Sequence, residues 1–203
     1  MPRLLLATGN KHKLCELKSL LQGLPYDMVS PADIGINIKI DEAGDSLEEN
    51  ARLKAITMAK ISRLLTLADD SGLEVDALGG KPGVLSARYA GENASDADRI
   101  SRLLSQLKDV LQEKRKAKFR CVIAIATPKG ESKLCSGECH GYITLEPRGE
   151  HGFGYDPVFY LPELSKTMAE LLPEAKNRVS HRGQAAREAF SLLLKLKGGK
   201  NIR

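Results

Sequence analysis

Two carboxylates stand side by side at the end of an apolar run, in Leu67-Ala68-Asp69-Asp70-Ser71-Gly72-Leu73, and few places in a fold accept such a pair. Successive residues of a strand point to opposite faces, so a strand running on through both acids would send one to each side of the sheet. A chain that leaves the strand there, through a Ser-Gly turn, can bring both sets of oxygens to one cleft beyond the strand's end. Such a cleft suits a hard divalent cation: Mg²⁺ takes oxygen ligands, keeps several waters and bridges one or two carboxylates to phosphates. The same residues also read as a strand-ending turn whose acid is a solvated cap. The rest of the chain decides between the two.

Its 203 residues suffice to bury a sizeable core as one large domain or two tightly packed lobes, without disulfides or a structural metal. No stretch approaches the roughly 18 apolar residues of a membrane span. The apolar run after Met1 is too short for a secretory signal, so a cytoplasmic location is the default expectation, with no membrane partner. The net charge of +5 raises the question of nucleic acid. The excess, however, sits in Lys114, Arg115, Lys116, Lys118 and Arg120 and in the tail residues Lys195, Lys197, Lys200 and Arg203, leaving a mildly acidic body. Such runs read as solvated surface, and with no Trp and 4% aromatics a base-stacking platform is not expected. Cys15, Cys121, Cys135 and Cys139 lack a second pair at ligand spacing and read as reduced, buried thiols rather than a zinc site.

In chain order, residues 4–7 read as a buried strand, Thr8-Gly9-Asn10 as a turn, and residues 11–21 as a helix with Asn10 as its N-cap. A strand that stops in a glycine turn at a helix start offers backbone N–H groups and the positive end of the helix dipole to an anion; Lys11 and Lys13 add charge. Residues 36–40 alternate as a half-exposed strand ending near Glu42. Ser46 and Glu49 form a capping box for a helix to about residue 65 that carries Lys54. The loop 79–83 is rich in turn residues and is free to fold back. Ser95 with Asp98 caps an amphipathic helix carrying Ile100, Leu103, Leu104, Leu107 and Leu111. Residues 119–126 read as a central strand, and 133–145 as one or two strands with Gly137 and Gly141 as bulges or close approaches. In Gly152-Phe153-Gly154-Tyr155-Asp156 the glycines free the backbone to approach a ligand and Phe153 offers a flat face for a base, although a glycine-rich hairpin with a core aromatic fits equally. Lys176 precedes a helix capped by Ser180, whose first turn holds His181 and Arg182; basic residues there oppose the helix dipole, which favours an anionic or electron-rich neighbour. That helix should stop at Gly198-Gly199.

Taken together, T-G-N-K-H-K at 8–13, E-E-N-A-R-L-K at 48–54, A-D-D-S-G-L at 68–73, P-G-V-L-S-A-R-Y-A-G at 82–91, G-F-G-Y-D-P at 152–157 and K-N-R-V-S-H-R at 176–182 closely resemble the inosine triphosphate pyrophosphatase family. The resemblance implies a single α/β domain over residues 1–203, with an elongated mixed β-sheet, flanking helices and two lobes around a central substrate cleft, usually as a homodimer. It implies Mg²⁺-dependent cleavage of ITP, dITP or XTP to the monophosphate and pyrophosphate, with Mn²⁺ as a substitute. Position by position it implies Asp70 as the catalytic acid/base, with Glu42, Asp69 and Asp70 beside the metal. Thr8, Gly9, Asn10, Lys11, His12, Lys13, Lys54 and Ser71 would meet the phosphates, and Phe153, Gly154, Tyr155, Asp156, Lys176, His181 and Arg182 the nucleoside. The alternative is a nucleotide or nucleic-acid binder without turnover. The acids argue against it, since carboxylates beside a polyphosphate weaken binding unless a metal lies between them.

Overall fold

The computed structural model describes residues 1–38 and 40–197. Among these are eight strands and five α-helices, alternating as far as β3 and then running β4, α3, four strands and two helices. The strands are β1 (Arg3–Leu6), β2 (Asp27–Val29), β3 (Leu65–Val75), β4 (Pro82–Gly83), β5 (Lys116–Ala126), β6 (Ser132–Ile143), β7 (Phe159–Leu161) and β8 (Lys166–Thr167). The helices are α1 (Lys11–Leu20), α2 (Leu47–Ser62), α3 (Asp96–Gln106), α4 (Pro173–Val179) and α5 (His181–Lys197). One open sheet runs in the order β2-β1-β3-β5-β6-β7-β8, with β4 added against β3. Strand β1 pairs parallel with β2 and β3, which requires the crossovers that α1 and α2 supply, whereas β3–β4, β6–β7 and β7–β8 are antiparallel. The fold is therefore mixed α/β.

The chain forms two compact units. The first comprises Met1–Asp70, Cys121–Gly137 and the chain from Arg182 onward; the second comprises Ser71–Arg120 and Glu138–His181. The first is built on Leu4, Leu6, Leu67, Cys121, Ile123 and Ile125 of its strands, packed with Leu17 and Leu21 and with Ala185, Ala186, Ala189 and Leu193 of α5. Small residues on α5 let the helix lie close to its neighbours. The second is built on Leu73, Val75, Phe119, Phe159, Ile143 and Val158, with Ile100, Leu103 and Leu107 covering them. Strand β5 shows both environments: residues 116–120 alternate exposed or half-buried with buried, and residues 121–126 are buried throughout. That is the difference between a strand with one wet face and one covered on both.

Several sequence expectations need correction. Residues 36–38 and Ile40 form no strand, and Ile38 is 53% exposed; alternation alone did not provide a pairing partner, and Lys39 lies outside the described residues. Helix α2 ends at Ser62, with Arg63 in the left-handed conformation, because β3 begins at Leu65. Its cap is modified too: Ser46 Oγ accepts from Glu49 N, but the Glu49 carboxylate reaches Asp45 N. Leu111 lies beyond α3 and is exposed, and of the thiols read as buried Cys15 is exposed on α1 while Cys121, Cys135 and Cys139 are buried. The basic run is not uniformly solvated either. Arg115 is buried and donates to the carbonyls of Leu107, Val110 and Thr144, while Lys118 and Arg120 pair with Glu74 and Glu138. The predicted stop at Gly198-Gly199, and Lys200 and Arg203, lie outside the described residues. No described helix is long and apolar enough to cross a membrane.

Candidate active site

The acid pair sits inside β3, not at its end. Strand geometry continues through Ser71 and Gly72 to Val75, so the expected turn is absent and the two carboxylates take separate partners. Gly72 is needed where it stands, since a Cβ there would lie 2.3 Å from the carbonyl oxygen of Gly83 on β4. Ser86 completes this corner, its Oγ accepting from Leu73 N at 2.9 Å and donating to Gly83 O at 2.6 Å. The glycine-rich loop 79–83 thus returns against its own strand.

Within the first unit, Lys54 on α2 is the hub of the Asp70 side. Its Nζ donates to Glu42 Oε1 (2.7 Å), Asp69 O (2.6 Å) and Asp70 Oδ1 (3.2 Å), which uses all three ammonium hydrogens. Glu42 is delivered by the segment before α2, and fully buried Asn50 holds that segment by accepting from Gly44 N at 2.9 Å. Burial lowers the tendency of Lys54 to stay charged, but Asp70, Asp69 and Glu42 outweigh it and hold its pKa above the ordinary value. Burial does the reverse to Asp70, pushing its carboxyl up. Lys54 and Lys13 oppose the shift, while Glu42 and Asp69 add to it, and the net direction is upward.

Asp69 has the contrary environment. Its Oδ2 accepts from Arg182 Nε (3.2 Å) and Nη2 (3.1 Å) and pairs with Lys13 Nζ (3.1 Å), while Arg182 Nη1 reaches Glu16 Oε2 at 2.7 Å. Burial alone would raise the Asp69 carboxyl; Lys13 first, then Arg182 and Lys54, overcome it and hold the group well below the usual carboxylate range. Burial likewise works against the Arg182 charge, but Asp69 and Glu16 among its neighbours keep it firmly protonated. Among the described residues, Asp69 Oδ1 and Asp70 Oδ2 are buried without a hydrogen-bond partner.

At the start of α1, Asn10 Oδ1 accepts from His12 N (2.9 Å) and Lys13 N (3.2 Å), and Asn10 N donates to Thr8 Oγ1 (3.2 Å). The cap was expected, yet it occupies two of the N–H groups assigned to an anion. Gly9 stays open, with no heavy atom within 4 Å of the position a Cβ would take, and Lys11 and His12 are exposed.

In the second unit, the loop around Phe153 is fixed by Asp156, whose Oδ2 accepts from Phe153 N at 2.9 Å and from Lys176 Nζ. The Lys176 ammonium lies 4.7 Å from the centroid of the Phe153 ring, and Asp156 and Lys176 are both buried. Gly152 has a positive φ, and a Cβ on it would fall 2.1 Å from Asp156 Oδ2, so glycine is required here. Tyr155 is buried and donates its hydroxyl to Ser86 O at 2.9 Å. The His181 imidazole stacks on Phe119 with centroids 4.6 Å apart.

The structure therefore joins Glu42, Lys54 and Asp70 in one cluster, Lys13, Asp69 and Arg182 in a second within the same unit, and Phe153, Asp156 and Lys176 in a third within the other unit. It gives Arg182 carboxylate partners where a base was expected. It also brings together no group of three acids, histidines or thiols fit to hold a metal among the described residues, unlike the three-carboxylate arrangement anticipated. Glu16, Asn50 and Phe119 were missed. Two left a trace: Glu16 lies three residues after Lys13 on one face of α1, and Asn50 shares a face of α2 with Lys54 at i, i+4, though neither was given a role.

Fold and site thus define an α/β protein with a buried carboxylate pair set among lysines and an arginine. The Ham1 family pattern matches residues 4–192. The dITP/XTP pyrophosphatase of Bacillus subtilis (strain 168) is 47% identical over 95% of this chain and 98% of its own. That of Geobacter sulfurreducens is 54% identical over 91% and 93%. Among solved structures, the HAM1 protein from Coxiella burnetii superimposes with a TM-score of 0.88 at 43% identity, covering 96% of this chain and all of that one. The Staphylococcus aureus Ham1 protein gives 0.84 at 41%, covering 98% of this chain and all of its own. The chain belongs to the Ham1 family.

Proposed function

We propose that the protein hydrolyses non-standard purine nucleoside triphosphates of the dITP, ITP and XTP kind to the monophosphate and pyrophosphate, with Asp70 as the base that takes a proton from the attacking water. Asp70 carries this reading. It is a buried carboxylate with a raised pKa, one oxygen held by Lys54 and the other without a hydrogen-bond partner among the described residues. A base of this kind binds its proton more readily than a solvated aspartate and has a free lone pair to receive it. The dITP/XTP pyrophosphatases among its relatives support the substrate class.

The donor set fits a divalent cation, Mg²⁺ or Mn²⁺ in its place, held by Glu42 and Asp70, which already converge on one cationic atom. Two carboxylates suffice where phosphate and water oxygens complete the shell. Such an ion, when bound, offsets phosphate charge and stabilises the charge on departing pyrophosphate. Lys11 and Lys13 add positive charge at the helix start that follows the turn at Thr8, Gly9 and Asn10, and Lys54 adds it beside Asp70, which Ser71 follows in the chain. Asp69, neutralised by Lys13 and Arg182, serves to hold those two cations in place.

Recognition of the purine falls to the second unit. Phe153 supplies the flat face, and Lys176, which has donors only, suits the 6-oxo acceptor of hypoxanthine or xanthine and mismatches the 6-amino donor of adenine. Gly154 and Tyr155 follow Phe153 in the loop, and His181, stacked on Phe119, belongs to the same unit. Arg182 lies in the first unit, where it holds Asp69. The reading takes the enzyme as a cytoplasmic homodimer acting on free nucleotides, and the internal engagement of Arg115, Lys118 and Arg120 supports leaving nucleic acid out.

Incubation with dITP or dATP and Mg²⁺, with the products separated, tests this directly. The expected outcome is dIMP and pyrophosphate, a rate for dATP lower by about a hundredfold or more, and loss of turnover on chelation. Release of orthophosphate, equal rates for the two nucleotides, or full activity after exhaustive chelation would each overturn the corresponding part.

A further inference from the structure

The loop that carries Phe153 is tied down at two successive amides. Phe153 N is held from within the loop by Asp156 (2.9 Å). Gly154 N is held from outside it, donating to Asp96 Oδ2 at 2.6 Å. Asp96 is the first residue of α3, fifty-eight positions away in sequence. The helix does not need it as a cap. Ser95 and Asp98 form the capping box, with Asp98 N donating to Ser95 Oγ and Ser95 N to Asp98 Oδ2. The other oxygen of Asp96 pairs with Arg99, whose Nη1 donates to Ala87 O (2.9 Å) and Ala94 O (2.7 Å). One carboxylate therefore links the start of α3, the 86–88 turn and the peptide bond between Phe153 and Gly154.

Gly154 itself has φ +65°, a conformation that glycine enters readily and also leaves readily. That peptide plane is held at both ends, Phe153 O accepting from Asp156 N at 3.3 Å within the loop and Gly154 N donating outward to Asp96, so the external acceptor pins from outside the plane that carries the Phe153 ring. We propose that Asp96 is a positioning residue for purine recognition, orienting Phe153 by anchoring the Gly154 amide. The proposal rests on the reading above in which this loop takes the base. It assigns Asp96 an effect on the apparent affinity for the nucleotide and none on the proton transfer at Asp70.

The test uses the full chain with Asp96→Ala and Asp96→Asn, measuring steady-state kinetics on dITP with Mg²⁺, thermal stability, and amide hydrogen exchange at Gly154. Loss of one charge-assisted hydrogen bond should raise KM for dITP about tenfold while kcat stays within about twofold, and Gly154 exchange should accelerate by about tenfold or more. Asp96→Asn keeps an acceptor oxygen and should return KM to within about threefold of the parent. Arg99→Ala leaves Asp96 present but unheld; it should shift KM in the same direction by about threefold, and it stands in should Asp96→Ala fail to fold. An unchanged KM, a joint fall of kcat and KM effects with lowered stability, or an Asp96→Asn as impaired as Asp96→Ala overturns the proposal. A parent protein that does not turn over dITP refutes the reading of the purine site instead. Gly154 exchange then still decides the anchor, upheld by acceleration in Asp96→Ala and overturned by none.

Discussion

Asp69 and Asp70 have the same side chain and adjacent positions, yet the chain around them drives their protonation in opposite directions. For Asp69, cations from α1 and α5 outweigh burial, so its folded pKa lies below the ordinary 3.8. A lowered carboxylate stabilises the fold at every pH above its unfolded value, and the contribution fades only as pH falls from there through the folded value. Asp69→Asn removes the partner of buried Arg182 and half-buried Lys13 and should cost about 3 kcal/mol, a deficit that stays constant between pH 5 and 8 in urea unfolding. For Asp70 the folded pKa is raised above 3.8, so ionising it works against folding. That penalty is absent below the unfolded value and complete once pH has risen through the folded one. Asp70→Asn should therefore be at least as stable as the parent at pH 7, with the gap closing as pH falls towards 4. If both variants lost the same stability at pH 7, the opposed environments described for the two residues would be wrong.

At the scale of elements, β3 explains why A-D-D-S-G was half legible. The acids were found, but Ser-Gly was read as a turn because it so often is one, and nothing local announces that β4 will return to pair with β3. Gly72 is there for the carbonyl of Gly83 rather than for a bend. Gly72→Ala should destabilise the protein by about 2 kcal/mol or more, through a Cβ against backbone that cannot move aside, and a melting temperature equal to the parent's would refute this. Elements whose pattern reflects local chemistry were legible: the Asn10 cap, the Ser95–Asp98 box, and the apolar stretch of β5. The segment 36–40 alternates just as well and forms no strand among its described residues, because a strand also needs a neighbour with free N–H and C=O groups. Asp96 belongs to the same category of the invisible, an acid in a first helical turn whose partner amide lies fifty-eight residues on.

For the whole molecule, the six sequence blocks pointed to the family that the Ham1 match now assigns, and the mixed α/β fold follows. The division of chemistry is equally plain. The carboxylates and their cations gather in the unit that contains β1 and α5, and the Phe153–Asp156–Lys176 group lies in the unit that contains α3. What sequence could not give was the use of each cation: Arg182, placed by pattern beside the base, pairs with Asp69 and Glu16, the buried Asp69 carboxylate lying 113 positions away in the chain. Asp70 as the proton acceptor is the central assignment, and one comparison tests it: turnover of dITP by the parent and by Asp70→Asn, at saturating Mg²⁺, with circular dichroism to confirm that both are folded. It predicts a loss of about a hundredfold or more, the scale of a missing general base, in a protein no less stable than the parent. Near-normal turnover by the folded variant would contradict it.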